Sequence, residues 1–129
     1  MRYILDTHVL LWTMFDTNKL SQFTHEIIKN TRLQKFISIS SIWEIAIKNR
    51  IGKLPLPMGI SGVLSRVDEL GYGIIGIQRH NIETYNTLPL LHRDPFDGII
   101  IATAVSEGMT IVTADENIQK YDVPWMLVI

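Results

Sequence analysis

Four acidic residues stand where a parallel α/β chain gathers reactive groups. Asp6 closes the apolar run Arg2–Leu5, Glu44 follows Phe36–Ile39, Asp97 ends the segment His92–Asp97, and Asp115 follows Thr110–Thr113. If those runs are parallel strands, their ends lie along one edge of a sheet and the carboxylates meet there. Several anions at one edge call for a divalent cation. Carboxylate oxygens, in a chain without cysteine, suit Mg²⁺ or Mn²⁺ rather than zinc.

Each acid also has an ordinary structural task. Asp6 precedes a helical stretch and has the place of an N-cap. Ser41 and Glu44 have capping-box spacing, as do Thr113 and Glu116, and Asp94 stands before the first-turn proline Pro95 with Asp97 three residues on. Singly, capping is the stronger reading at every one of these positions. Jointly the balance shifts, because caps need no convergence. Two like charges about 4 Å apart repel by roughly 1 kcal/mol in water and about 4 kcal/mol at an effective dielectric of 20. Helix dipoles and the nearby bases Lys48, Arg93 and Lys120 offset part of this, and a metal ion is the simpler neutraliser. Lys48, four residues after Glu44, is either an i,i+4 pair worth tenths of a kcal/mol or a phosphate contact at the cleft, and both readings stand. His8 and His92 flank the acids and are read as structural or solvated, outside the metal site. Trp12, Trp43 and Trp125 sit among aliphatics and are read as core or interface residues rather than base-stacking platforms.

The elements that must position these groups follow a βαβ rhythm. Strands are expected at Tyr3–Leu5, Phe36–Ile39, Ile74–Ile77, Thr110–Val112 and Trp125–Val128. Helices are expected at Thr7–Phe15, Ser21–Asn30, Ser41–Arg50, Gly59–Leu70, His80–Thr87, Pro95–Glu107 and Glu116–Tyr121. The strand runs are continuously apolar, as strands covered on both faces are. The fold class is therefore α/β, a three-layer α/β/α sandwich with a parallel sheet of four to five strands. Gly52, Gly71 and Gly108 fall where helices need a left-handed stop, and Gly52–Pro57 reads as a rigid loop. The Pro95–Glu107 stretch is apolar around most of its circumference, which makes it the most buried helix.

With 129 residues, 47% of them hydrophobic and 19% charged, residues 1–129 fit one domain with a proper core. The absence of cysteine rules out disulfides and a thiol nucleophile and accords with a reducing cytoplasm. Arg2 is the only early positive charge, and Asp6 and His8 interrupt the apolar start, so neither a signal peptide nor a membrane span is expected and the protein reads as cytoplasmic. A formal net charge of −1 excludes a protein that holds nucleic acid by bulk charge. A phosphate ligand must rely on local Lys and Arg or on a metal.

Four segments, in order, resemble the PIN-domain ribonucleases, and within them the VapC-like toxins of toxin–antitoxin pairs. They are Ile4-Leu5-Asp6-Thr7 followed by Leu10-Leu11-Trp12; Ser40-Ser41-Ile42-Trp43-Glu44-Ile45; His92-Arg93-Asp94-Pro95-Phe96-Asp97 running into Ile100-Ile101-Ala102-Thr103-Ala104; and Ile111-Val112-Thr113-Ala114-Asp115. The resemblance spans nearly the whole chain. It implies that Asp6, Glu44, Asp97 and Asp115 form an acidic quartet binding Mg²⁺ or Mn²⁺. It further implies that Thr7 and Thr113 orient carboxylates or waters, and that Asp94 is a helix cap or an acid behind the ligands. Lys48 and Arg93 become candidates for touching substrate. The implied activity is metal-dependent endoribonuclease cleavage of single-stranded or loop RNA, by a homodimer whose cognate antitoxin blocks the site. Two competing readings are a receiver-like Mg²⁺-binding signalling domain and a catalytically silent PIN fold that serves only as a binding partner. The first lacks the acceptor acid and lysine such domains want, since Ile74–Ile77 is followed by Gln78 and Trp125–Val128 has no lysine.

Overall fold

The computed structural model describes residues 1–124 and 126–129. Five parallel strands, β1 (Arg2–Leu5), β2 (Gln34–Ser38), β3 (Gly73–Ile75), β4 (Thr110–Thr113) and β5 (Met126–Val128), form one sheet in the order β3-β2-β1-β4-β5. Among the described residues the helices are α1 (Thr7–Phe15), α2 (Gln22–Lys29), α3 (Ile39–Arg50), α4 (Gly59–Glu69), α5 (Arg79–Thr87), α6 (Pro95–Glu107) and α7 (Glu116–Gln119). A receiver-like domain orders its strands 2-1-3-4-5, so the topology excludes that alternative.

Strand alternation divides the core in two. On one face Leu5, Ile37 and Val112 pack with Val9 and Leu10 of α1, Ile27 of α2, Ile42 and Ile45 of α3, and Val63 and Val67 of α4. On the other, Ile4 and Ile111 pack with Ile100, Ile101 and Ala104 of α6 and Ile118 of α7. Register confirms the division: Leu5 lies opposite Ile37 and Val112, and Ile4 opposite Ile111. Each fully buried Leu or Ile contributes about 1.5–3 kcal/mol, enough to fix both helical layers on the central strands. The result is a three-layer α/β/α sandwich.

Several boundaries differ from the sequence expectation. The second strand is Gln34–Ser38 rather than Phe36–Ile39, because Ser38 ends it and caps α3 at once, its Oγ accepting from Ser40 N at 3.1 Å. Ile39 is thus helical, and the Ser41–Glu44 capping box does not form, since both residues lie inside α3. The Thr113–Glu116 box is likewise displaced by Asp115, which caps α7 by accepting from Asn117 N at 2.8 Å. The third strand stops at Ile75, α7 stops before Tyr121, and the 3₁₀ turn Thr17–Lys19 was not anticipated. The expected last strand begins on Trp125, which lies outside the described residues, and Met126–Val128 is strand. Gly52, Gly71 and Gly108 all adopt positive φ, at 79°, 75° and 68°.

Candidate metal centre

The sheet reverses its order between β1 and β4. From β1 the chain passes through α1 and α2 to β2 on one side, whereas α6 brings it back to β4 on the other. A crevice outside the carboxyl ends of strands at such a switch point is where open α/β sheets bind ligands. Asp6 and Asp115 follow these two strands. Asp6, 2% exposed, caps α1 through Oδ1, which accepts from Val9 N at 2.8 Å. Its Oδ2 accepts from Thr113 Oγ1, and the same hydroxyl oxygen accepts from Asp115 N at 2.9 Å. One buried threonine therefore ties the ends of both strands to each other.

Glu44 enters from the second turn of α3 and is also buried. Thr7 Oγ1 donates to its Oε1 at 2.8 Å and lies 2.9 Å from Ser41 Oγ. Lys48 Nζ meets its Oε2 at 2.9 Å. The i,i+4 pair thus exists, but with one buried partner and a lysine side chain 41% exposed, so Lys48 remains open to solvent at the rim.

Asp97 occupies the first turn of α6, the helix whose residues Asp97–Ala104 are all buried. Asp94 caps that helix, accepting from Phe96 N at 2.9 Å, and Pro95 follows. His92 Nε2 lies 3.1 Å from Asp97 Oδ2. Arg93 between them is exposed.

Burial pushes the Asp97 carboxyl up to about 8, with the charges of Asp94, Asp115, Glu44 and Asp6 adding to it in that order. Asp6 is also raised, by burial; the hydrogen bonds from Thr113 and Val9 oppose this and the charge of Asp115 adds to it. Asp97 therefore lies within electrostatic reach of the other three sequence-predicted acids, and Asp6 within reach of Asp115. Capping accounts for Asp6, Asp94 and Asp115 individually and does not account for that convergence. Among the described residues the one trio of metal-capable groups whose ligand atoms all fall within 4.8 Å of one another is His92, Asp94 and Asp97. Asp6, Glu44 and Asp115 belong to no such trio, so the quartet shares one edge without closing as tightly.

Sequence reasoning passed over two residues at this centre. Ser41 was read as a cap, but it is fully buried beside Thr7. His92 was left outside the metal site, although it faces Asp97. The sequence signal for it was its place in His92-Arg93-Asp94-Pro95-Phe96-Asp97, where Pro95 at the helix start fixes the turn. Of the two alternatives for Trp43, core or interface, the first falls away, since it is 63% exposed. Its ring meets Phe96 edge-on at 5.5 Å, and with Ile77, Ile82 and Tyr85 it forms an exposed apolar face beside the acids. Trp12 is half-buried against the α1 side of the core, as expected.

The fold and site define a parallel α/β protein that gathers carboxylates at its switch point. The PIN domain family model matches residues 3–124, and the chain belongs to that family. Among solved structures, VapBC2 from Rickettsia felis bound to a DNA fragment from its promoter matches with a TM-score of 0.73 at 18% identity, covering 100% of this chain and 98% of that one. DNA-bound VapBC from Salmonella typhimurium matches at 0.71 and 17% identity, covering 100% and 97%. FitAcB from Neisseria gonorrhoeae matches at 0.65 and 18%, covering 98% and 95%. At these identities the likeness is one of fold. No curated protein matches the sequence.

Proposed function

We propose that this protein is a Mg²⁺- or Mn²⁺-dependent endoribonuclease that hydrolyses RNA phosphodiester bonds as the cytoplasmic toxin of a VapBC-type pair. The observation that carries the reading is Asp97, a carboxyl nine-tenths buried and facing the charges of four further acids in a PIN fold. The donor set fits a hard divalent ion, since Asp6, Glu44, Asp97 and Asp115 offer carboxylate oxygen alone. Bound there, such an ion supplies a hydroxide near neutral pH, charge relief on the phosphoryl oxygens and support for the leaving alkoxide.

The chain's own groups prepare the site. Thr113 holds Asp6 and the backbone of Asp115 in fixed relation, and Thr7 orients Glu44. Lys48 and Arg93, both open to solvent at the rim, supply local positive charge for the RNA backbone, which the net charge of −1 does not. The apolar face around Trp43 and Phe96 supports protein partners next to the acids, as the homodimer and antitoxin of this reading require; exposed apolar patches of this kind mark interaction surfaces. Among the described residues no helix is long and apolar enough to cross a membrane.

Asp97→Asn tests the assignment. RNA cleavage in Mg²⁺ is expected to fall by about a hundredfold or more, with growth arrest on induction abolished. Undiminished cleavage and arrest would falsify the role of Asp97.

A further inference from the structure

The imidazole of His92 faces the acids without a settled role. We propose that His92 is a nitrogen ligand of the divalent ion held at Asp97, so that the centre has a mixed imidazole and carboxylate donor set. This rests on the metal-dependent reading above and goes beyond its oxygen-only quartet. Three observations carry it. First, Nε2 lies 3.1 Å from Asp97 Oδ2, and the ligand atoms of His92, Asp94 and Asp97 all fall within 4.8 Å of one another. Donors at right angles on a six-coordinate ion with bonds of about 2.1 Å are about 3 Å apart. Second, Asp97 is 8% exposed and, among the described residues, its carboxyl has no hydrogen-bond partner besides His92. Third, the core fixes the imidazole's backbone. The buried Tyr121 hydroxyl accepts from Leu91 N at 3.3 Å and from His92 N at 3.2 Å, while the ring stays 24% exposed at the crevice.

Asp94 already uses one oxygen on Phe96 N, and its other oxygen has no partner among the described residues. A neutral imidazole offers one proton or one lone pair at Nε2. Two carboxylates this close to one imidazole are better satisfied by an ion that accepts all three groups. An imidazole in the donor set moves preference from Mg²⁺ toward Mn²⁺ and later first-row ions.

The experiment is pulsed electron paramagnetic resonance on the full chain loaded with Mn²⁺, with affinities measured in parallel by calorimetry. Wild type should show ¹⁴N coupling from a directly bound nitrogen, and His92→Ala should lose it, with Mn²⁺ affinity falling by about tenfold and Mg²⁺ affinity changing less. His92→Gln, which still hydrogen-bonds Asp97 but lacks the imidazole, should lose the coupling as well. Bound Mn²⁺ without ¹⁴N coupling in wild type, or coupling that persists in His92→Ala, would overturn the ligand role and leave the metal reading intact. If no Mn²⁺ binds, both fail together.

Discussion

Asp97 is the residue at which structure and function pull in opposite directions. Its carboxyl is raised from an ordinary 3.8 to about 8. Below 3.8 both the folded and the unfolded chain hold the proton. Between 3.8 and 8 only the folded chain keeps it, so each step up in pH in this window favours unfolding; above 8 both forms are ionised and the slope ends. Asp6, raised for the same first reason of burial, acts with the same sign. Urea denaturation in chelator should therefore show stability falling as pH rises from about 4 to about 8. Asp97→Asn should flatten that slope and be at least as stable as wild type at pH 7. A slope unchanged in the variant would place the raised carboxyl elsewhere. The acids themselves were legible from residue type and order. So were Thr7 and Thr113, expected to orient carboxylates and donating to Glu44 and Asp6; Ser41, which lies against Thr7, was not, because it fits a capping spacing that the fold does not use.

Among the elements, those with unambiguous stops were readable to the residue. Helices α1 and α6 match the expected bounds, Pro95 and Gly108 marking the ends of the second. Gly108 sits at φ 68° with its N–H on Ala104 O, so Gly108→Ala should cost about 1–2 kcal/mol, seen as a lower urea midpoint with an unchanged m-value. Loss of less than a few tenths would mean that the turn relaxes. The β2–α3 junction was not readable, because the apolar residues Phe36, Ile37 and Ile39 run across it while Ser38 ends the strand and caps the helix in one step. Lys35 shows the same limit: one residue before the expected strand, it lies in β2 and is buried, and its Nζ donates to Ile28 O and Asn30 O at 2.8 and 2.9 Å to close the end of α2. Only tertiary packing reveals that bond.

For the whole molecule, the continuous apolar runs and the βαβ rhythm sufficed to give a parallel sheet under two helical layers. They did not give the order β3-β2-β1-β4-β5, and it is this order that sets Asp6 beside Asp115 and leaves the N-terminus of α6 facing both. Nor did they separate Trp43 from the core, since an aromatic among aliphatics reads alike whether it packs inward or waits on a surface for a partner. The central claim is that the acids converging at this switch point hold a divalent ion. A crystal of the protein soaked in Mn²⁺ and measured at the manganese absorption edge tests it most directly. An anomalous peak is expected among the carboxylate oxygens of Asp6, Glu44, Asp97 and Asp115. Those four side chains clearly ordered at saturating Mn²⁺, with no peak between them, would contradict it.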